Sequence, residues 1–393
     1  MAKYINNTRR LVVVPSESIA AYEQAGYGSW LERYYNPTGM FEEVYAVSPN
    51  EIGVRHAHGM TIVGVEPSDF VKWLRRLHPD VVRGYGGYWA ADLVCSRRLP
   101  DVPVVVSVHD TNPALIHASV RYADMLICMS NAVAEGVQAR GADPDRIRLL
   151  PNRIDPAVFH PIANPTFSAS LEQRFPVRKR LLHVGRKSVQ KNIETVVRAL
   201  AQLPEDYGCI FVGRGDPQTY VKLGQSLDVE RRCFWIESVP NSELPLWYSA
   251  CDCMCTPSLW EGFGIVFIEA AACGAAIVTS NIAPMNEYLT DGESACLVSD
   301  YKNPIALASA VRSVCENETF REKIKTGALE ISRAFSNVII DAQEAALYRE
   351  AMALPSLSRF QRISVGGLRL SLSLQSATRS ATSRVNSAIR PSR

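Results

Sequence analysis

The chain has 393 residues, 47% of them hydrophobic and 21% charged, the balance of a soluble globular protein long enough for two domains. It contains no run of about 18 uninterrupted apolar residues, and Met1-Ala-Lys-Tyr-Ile has no long apolar core behind it, so neither a membrane span nor a signal peptide is expected. The net charge of +2 conceals an asymmetry: residues 356–393 hold seven arginines, no lysine and no acid, which leaves 35 basic against 40 acidic side chains elsewhere.

In the first half, short apolar runs at 11–14, 43–47, 60–63, 81–82, 104–108, 125–128 and 148–150 read as strands. Helices are expected between them, at 69–77 with Ser68 or Asp69 as its cap, at 89–99 and at 131–140. His56 and His58 share a strand face, but two histidines without a nearby carboxylate or thiol are no metal site, and no metal is expected. His109 follows the strand at 104–108, where an imidazole could bond a hydroxyl or handle a proton; Asp110 could equally hold it as a structural side chain.

A stretch rich in Pro, Asn, Ser and Ala at 160–176 reads as a hinge. Beyond it, strands are expected at 181–184, 209–212, 233–236, 252–255, 276–279 and 295–298, with a helix after each of the first five. Alternation of this length predicts an α/β chain with parallel sheets wound on both faces, as two Rossmann-like domains at 1–165 and 166–338. Ligands of such sheets bind at the carboxyl ends of the strands, so a cleft between the domains is the expected site. Cys251, Cys253 and Cys255 would share one strand face as buried thiols of a reducing cytoplasm.

Three strand ends in the second half carry chemistry. Gly185 and Arg186-Lys187 precede Lys191-Asn192, where a helix begins; cations there oppose the helix dipole unless an anion lies between, and a diphosphate would resolve the conflict. Gly213, in Val-Gly-Arg-Gly-Asp, could let a ligand approach closely. Pro257-Ser-Leu-Trp-Glu261-Gly262-Phe263-Gly264-Ile265 leads into an apolar helix that carries Glu269, a carboxylate costly to bury without a polar partner. A hydroxyl-rich ligand would serve it, and the helix start beside it suits an anion. Together these features suggest a nucleotide-sugar site. Glu287, at the next strand end, reads as a first-turn carboxylate that stabilises its helix.

Taken together the segments resemble the retaining glycosyltransferases of family 4, which have the GT-B fold. The resemblance rests on Glu261-x7-Glu269 and on Gly185-Arg186 with Lys191-Asn192. Asp124 to Ser130, Pro151-Asn152-Arg153 and Pro284-Met-Asn-Glu287 support it, and it extends to a last helix at 339–355. It implies a hexosyltransferase with no cofactor beyond its co-substrate, a nucleoside-diphosphate sugar, and with a glycan, lipid-linked or other hydroxyl acceptor. By the same resemblance Arg186 and Lys191 would hold the diphosphate, Glu269 the ribose, and Glu261 the donor sugar. Gly262, Phe263, Gly264 and Ile265 would offer backbone amides, and His109 would meet the donor sugar from the facing domain. Gly28, in Gly26-Tyr-Gly28, stands in for the family's amino-terminal glycine pair, which lies earlier in other members, and Arg153 replaces the glycine of a Pro-Asn-Gly pattern. The atypical first domain leaves one alternative, a non-catalytic nucleotide-sugar-binding subunit or partner subunit of a transferase; a nucleotide-sugar epimerase of related architecture is disfavoured by the paired-glutamate segment. No nucleic-acid partner is expected. The tail at 356–393 reads as a disordered solvated segment, or as a basic arm against an anionic membrane that would place the protein at the inner surface.

Overall fold

The computed structural model describes residues 8–355. The leader reading and the tail at 356–393 lie outside the described residues. The chain divides into two compact units: the first takes residues up to Cys128, Ala134–Arg148 and the stretch from Glu344, and the second takes Met129–Val133 and Leu149–Gln343.

The first unit runs through β1 (Arg10–Val14), α1 (Ile19–Gln24), α2 (Gly28–Tyr34), β2 (Glu43–Ser48), β3 (Val54–Ala57), β4 (Met60–Gly64) and α3 (Phe70–Leu77). It continues with β5 (Val81–Tyr85), α4 (Trp89–Ser96), β6 (Val104–Val108) and β7 (Met125–Cys128), then with α5 (Asn131–Gln138) from Ala134 and β8 (Ile147–Leu149) up to Arg148; the first turn of α5 belongs to the second unit. The strands form one sheet in the order β3-β4-β2-β1-β5-β6-β7-β8. Its centre is parallel, and the valines of β1 and β6 are buried, as strands covered on both faces require. The sheet is mixed rather than wholly parallel, because β3 pairs antiparallel to β4, Val54 opposite Val63 and Ala57 opposite Met60. This corrects the expected histidine face: His56 lies on β3, but His58 has a φ of 52° in the turn after it.

The second unit holds α6 (Pro165–Arg174), β9 (Lys179–Val184), α7 (Ile193–Leu200), β10 (Tyr207–Val212), α8 (Gln218–Ser226), β11 (Cys233–Ile236) and α9 (Leu244–Ala250). There follow β12 (Cys253–Thr256), α10 (Ile265–Ala272), β13 (Ile277–Ser280), α11 (Met285–Tyr288), β14 (Cys296–Val298), α12 (Pro304–Glu316) and α13 (Glu318–Ser332). Its six strands are all parallel, in the order β11-β10-β9-β12-β13-β14. One core cluster joins Leu181, Val197, Phe211, Val278 and Leu307, and Cys253 and Cys255 project into it together. All ten cysteines are free, and Cys315 Sγ lies 3.9 Å from Cys253 Sγ.

The last helix, α14 (Asn337–Ala353), passes from the second unit into the first at Glu344. There Glu344 is buried against Arg83 of β5, whose guanidinium also donates to Tyr348 at 2.7 Å and to Ser107 at 2.9 Å. Among the described residues no helix is long and apolar enough to cross a membrane.

Candidate functional site

In each unit the strand order reverses at one point, and ligands of open α/β sheets bind outside the carboxyl ends of the strands there. In the second unit that point lies between β9 and β12. The loops leaving these two strands carry most of the residues singled out in the sequence.

Gly185 follows β9 with a φ of 149°, and a Cβ there would stand 2.8 Å from Cε of Lys191. The missing side chain is the space that the lysine stem occupies. Lys191 closes a 3-10 turn and is 8% exposed, and its Nζ lies 2.5 Å from Oε1 of Glu261, itself 6% exposed. Glu261 also accepts from Ser258 Oγ at 2.7 Å and from Gln190 Nε2 at 3.4 Å. Gln190 further donates to the Trp260 carbonyl, and Leu259 N–H to the Gln190 carbonyl, so the two loops are stitched together around a buried ion pair. Lys191's carbonyl lies 3.1 Å from Nε2 of His183, whose pKa burial lowers to about 4 and so keeps the ring neutral.

The three cations of the first loop separate in the structure. Arg186 is exposed and makes no hydrogen bond or ion pair among the described residues. Lys187 is tied to the backbone: its ammonium donates to the carbonyls of Gly213 and Ile236, capping the ends of β10 and β11, and burial lowers its pKa. Gly213 serves the same seam. Its φ is 150°, and a Cβ there would fall 1.9 Å from the Gly185 carbonyl oxygen, so glycine lets the two strand-end loops cross in contact.

Gly262, Phe263 and Gly264 form the turn into α10. Gly264 has a φ of 83°, and a Cβ would press on the Phe267 ring at 2.7 Å. Phe263 offers only backbone, since its ring is buried against Tyr288 with centroids 5.1 Å apart. The Tyr288 hydroxyl donates to the Phe263 carbonyl, and Ser130 Oγ donates to the Gly262 carbonyl at 2.8 Å. The first two amides of the helix, at Ile265 and Val266, have no acceptor within it, and the third, at Phe267, donates to the Gly264 carbonyl. One turn further, Glu269 is 7% exposed and accepts from the Tyr248 hydroxyl at 3.1 Å. Burial raises its pKa to about 7, against the lowering effects of that hydrogen bond and of the Lys191 charge. The costly carboxylate has found a phenol, a partner that no motif announces.

Glu287 lies in the first turn of α11, as expected, and has a second role: its carboxylate accepts from the backbone of Asn131 at 2.8 Å and of Ala132 at 3.0 Å at the start of α5.

In the first unit the order reverses between β1 and β5, and His109 leaves β6, the next strand. His109 is half-buried, and burial, with the Arg83 charge adding to it, lowers its pKa to about 4. The Tyr85 ring lies 6.5 Å from it at 24°. Asp110 does not hold His109; it accepts from Asn112 N–H at 2.7 Å in a local turn. Gly28 opens α2, and a Cβ there would stand 3.1 Å from the His58 ring. His58 in turn shares Glu23 with Arg55. Among the described residues no cluster of three metal-binding side chains occurs.

Residues 172–330 match the family described as glycosyl transferases group 1, and residues 36–158 match glycosyltransferase family 4. D-inositol 3-phosphate glycosyltransferase of Nocardioides sp. is 30% identical over 316 residues, which cover 70% of this chain and 68% of that protein. The Corynebacterium glutamicum protein of the same name is 29% identical over 224 residues, 54% of this chain, and the chain spans about half (53%) of its length. Among solved structures, sucrose-phosphate synthase from Thermosynechococcus elongatus superposes with a TM-score of 0.72 at 20% identity, covering 88% of this chain and 100% of that one. HepE of Anabaena, solved with UDP and glucose, gives 0.71 at 19%, covering 87% and 100%. The chain therefore belongs to the group 1 glycosyltransferases of family 4, with the two Rossmann-like units of the GT-B fold.

Proposed function

We propose that the protein moves a sugar from a nucleoside-diphosphate sugar to a hydroxyl acceptor with retention of anomeric configuration and without a metal ion. The observation that carries this reading is the buried Lys191–Glu261 pair beside the start of α10, with Glu269 one turn along and Arg186 exposed nearby in sequence. As the glycosidic bond breaks, charge grows on the departing diphosphate. The two remaining donors of Lys191 and the amides at Ile265 are held in place for that charge, and the exposed Arg186 can close on it. They do the work a divalent cation would otherwise do. Glu269 takes the ribose hydroxyls, and Glu261 faces the donor sugar with its geometry held by Ser258 and Gln190. Glu261 is not assigned as a nucleophile; the acceptor attacks from the face the diphosphate leaves. His109, neutral at working pH, is suited to hydrogen bonding with a sugar hydroxyl.

HepE supports the donor class, having been solved with UDP-glucose, and several relatives carry the name of an inositol-phosphate glycosyltransferase. The test is a thermal-shift panel of uridine, guanosine and adenosine diphosphate sugars, followed by slow hydrolysis of the one that stabilises. Release of sugar and nucleoside diphosphate, unaffected by EDTA and with the anomer retained by NMR, is the expected result. Tight binding with no turnover would make the protein a nucleotide-sugar-binding subunit instead.

A further inference from the structure

Residues 22–35 contain five aromatic side chains, Tyr22, Tyr27, Trp30, Tyr34 and Tyr35, in a chain that is 8% aromatic overall. Two of them are left in the open: Tyr27 is 45% exposed and Trp30 is 47% exposed. Large aromatics left in solvent together usually mark a contact surface. These two do not stand alone. Tyr27 and Trp30 have ring centroids 6.3 Å apart, Trp30 and Tyr34 3.7 Å, Tyr34 and Tyr85 5.5 Å, and Tyr85 and His109 6.5 Å. A continuous ladder of rings thus runs from the open face of α2 to the last residue of β5, at the strand reversal of the first unit.

We infer that Tyr27 and Trp30 form a shelf that seats an uncharged sugar ring of the acceptor, so that the acceptor is a neutral glycan or glycoside rather than a phosphorylated polyol. The inference rests on the glycosyltransferase reading above. The apolar C–H face of a pyranose matches a flat ring that has polar groups at its edge, the combination typical of ligand sites. Charge selects among the possible occupants. Residues 17–34 carry three acids, Glu17, Glu23 and Glu32, against one base, Arg33, and with Glu23 paired to Arg55 the exposed Glu17 and Glu32 stand against Arg33. That balance offers a phosphate or an anionic lipid headgroup no net positive charge.

The experiment uses the full chain and saturation-transfer NMR. The probes are methyl α-glucoside, maltose and cellobiose, set beside myo-inositol 1-phosphate and phosphatidylglycerol vesicles. At least one neutral probe should receive saturation at its ring protons. Trp30→Ala should weaken that binding at least fivefold, Trp30→Phe should keep most of it, and Tyr27→Ala should weaken it less. Nucleoside-diphosphate affinity, measured on the same samples, should be the same in all variants. Saccharide binding untouched by Trp30→Ala overturns the shelf. So does binding of the inositol phosphate alone, or a Trp30-dependent affinity for vesicles. If the wild type binds no nucleoside diphosphate, the transferase reading fails instead, which separates the two ideas.

Discussion

Glu269→Gln tests the nucleotide reading through pH. The carboxyl of Glu269 has its pKa raised from 4.5 to about 7, and burial is the cause. At about 1.4 kcal/mol for each tenfold change in proton affinity, that rise is worth about 3 kcal/mol. The sign follows from linkage. A carboxyl whose folded pKa lies above its unfolded one binds protons more tightly when folded, so its contribution is fully present below pH 4.5 and is lost as pH rises through 7. The wild type should therefore lose about 3 kcal/mol relative to Glu269→Gln between pH 4 and pH 8 in urea unfolding. A ribose whose hydroxyls donate to the ionised carboxylate reverses the preference. If only the ionised form binds, a pKa near 7 lowers apparent affinity about tenfold from pH 8 to pH 6. Calorimetric titration with UDP, GDP and ADP at both pH values measures this. The phosphate groups of the ligand titrate in the same range, but equally for both proteins, so the ratio of wild-type to Glu269→Gln affinity isolates the carboxylate. A ratio that does not change with pH would refute the ribose role, whatever the absolute affinities.

Other predictions probe the neighbouring loops. Lys191→Ala leaves Glu261 buried without its cation and should cost about 3–5 kcal/mol, while Lys191→Met combined with Glu261→Gln should recover most of it; additive losses in that cycle would show that the two side chains do not depend on each other. Arg186→Ala, at an exposed position, should change unfolding free energy by less than about 0.5 kcal/mol yet cut donor turnover at least tenfold, and near-normal turnover would remove its leaving-group role. Glu287→Ala removes the cap of α5 and should cost about 1–2 kcal/mol, read as lost amide-exchange protection at Asn131 and Ala132. Protection equal to the wild type would mean that solvent or another group serves those amides as well.

The parallel strands were legible because a strand covered on both faces must be almost wholly apolar, and runs such as 104–108 and 209–212 can hardly be anything else. What failed was the edge. The strand β3, Val54-Arg-His-Ala, is partly open to solvent and carries charge, so no apolar run marks its bounds, and the strand face read through His56 and His58 ends before His58. Helices α1 and α2 also escaped notice, since Gly26 and Gly28 interrupt them and their tyrosines follow no apolar stripe. At the site, the residue types were legible but their partners were not. Arg186, Lys187 and Lys191 look alike as letters. Only the crossing of two strand-end loops, permitted by Gly213, brings carbonyls from Gly213 and Ile236 onto Lys187 and ties it to the backbone. The Tyr248–Glu269 bond spans 21 residues, and the reach of Glu287 to Asn131 spans 156, beyond any local pattern.

The buried Lys191–Glu261 pair is hard to explain by stability. Taking two charges out of water costs several kcal/mol for each, and a well-packed apolar pair in their place is often as stable or more so. The surrounding structure nevertheless commits heavily to the pair: Gly185 gives up its side chain to admit the lysine stem, and Ser258 and Gln190 supply further donors to Glu261. Such an arrangement makes sense where the charge is used. In the absence of ligand Glu261 balances Lys191, so the loop carries no isolated buried cation. A diphosphate can take the remaining N–H donors of Lys191 without breaking the pair, because an ammonium has three. Under the proposed function Glu261 would lie beside the diphosphate with one oxygen engaged by Lys191 and Ser258, and the other 3.4 Å from Gln190. If the proposed function holds, the pair fixes the orientation of the carboxylate before the donor arrives, the preorganisation that makes electrostatic catalysis effective.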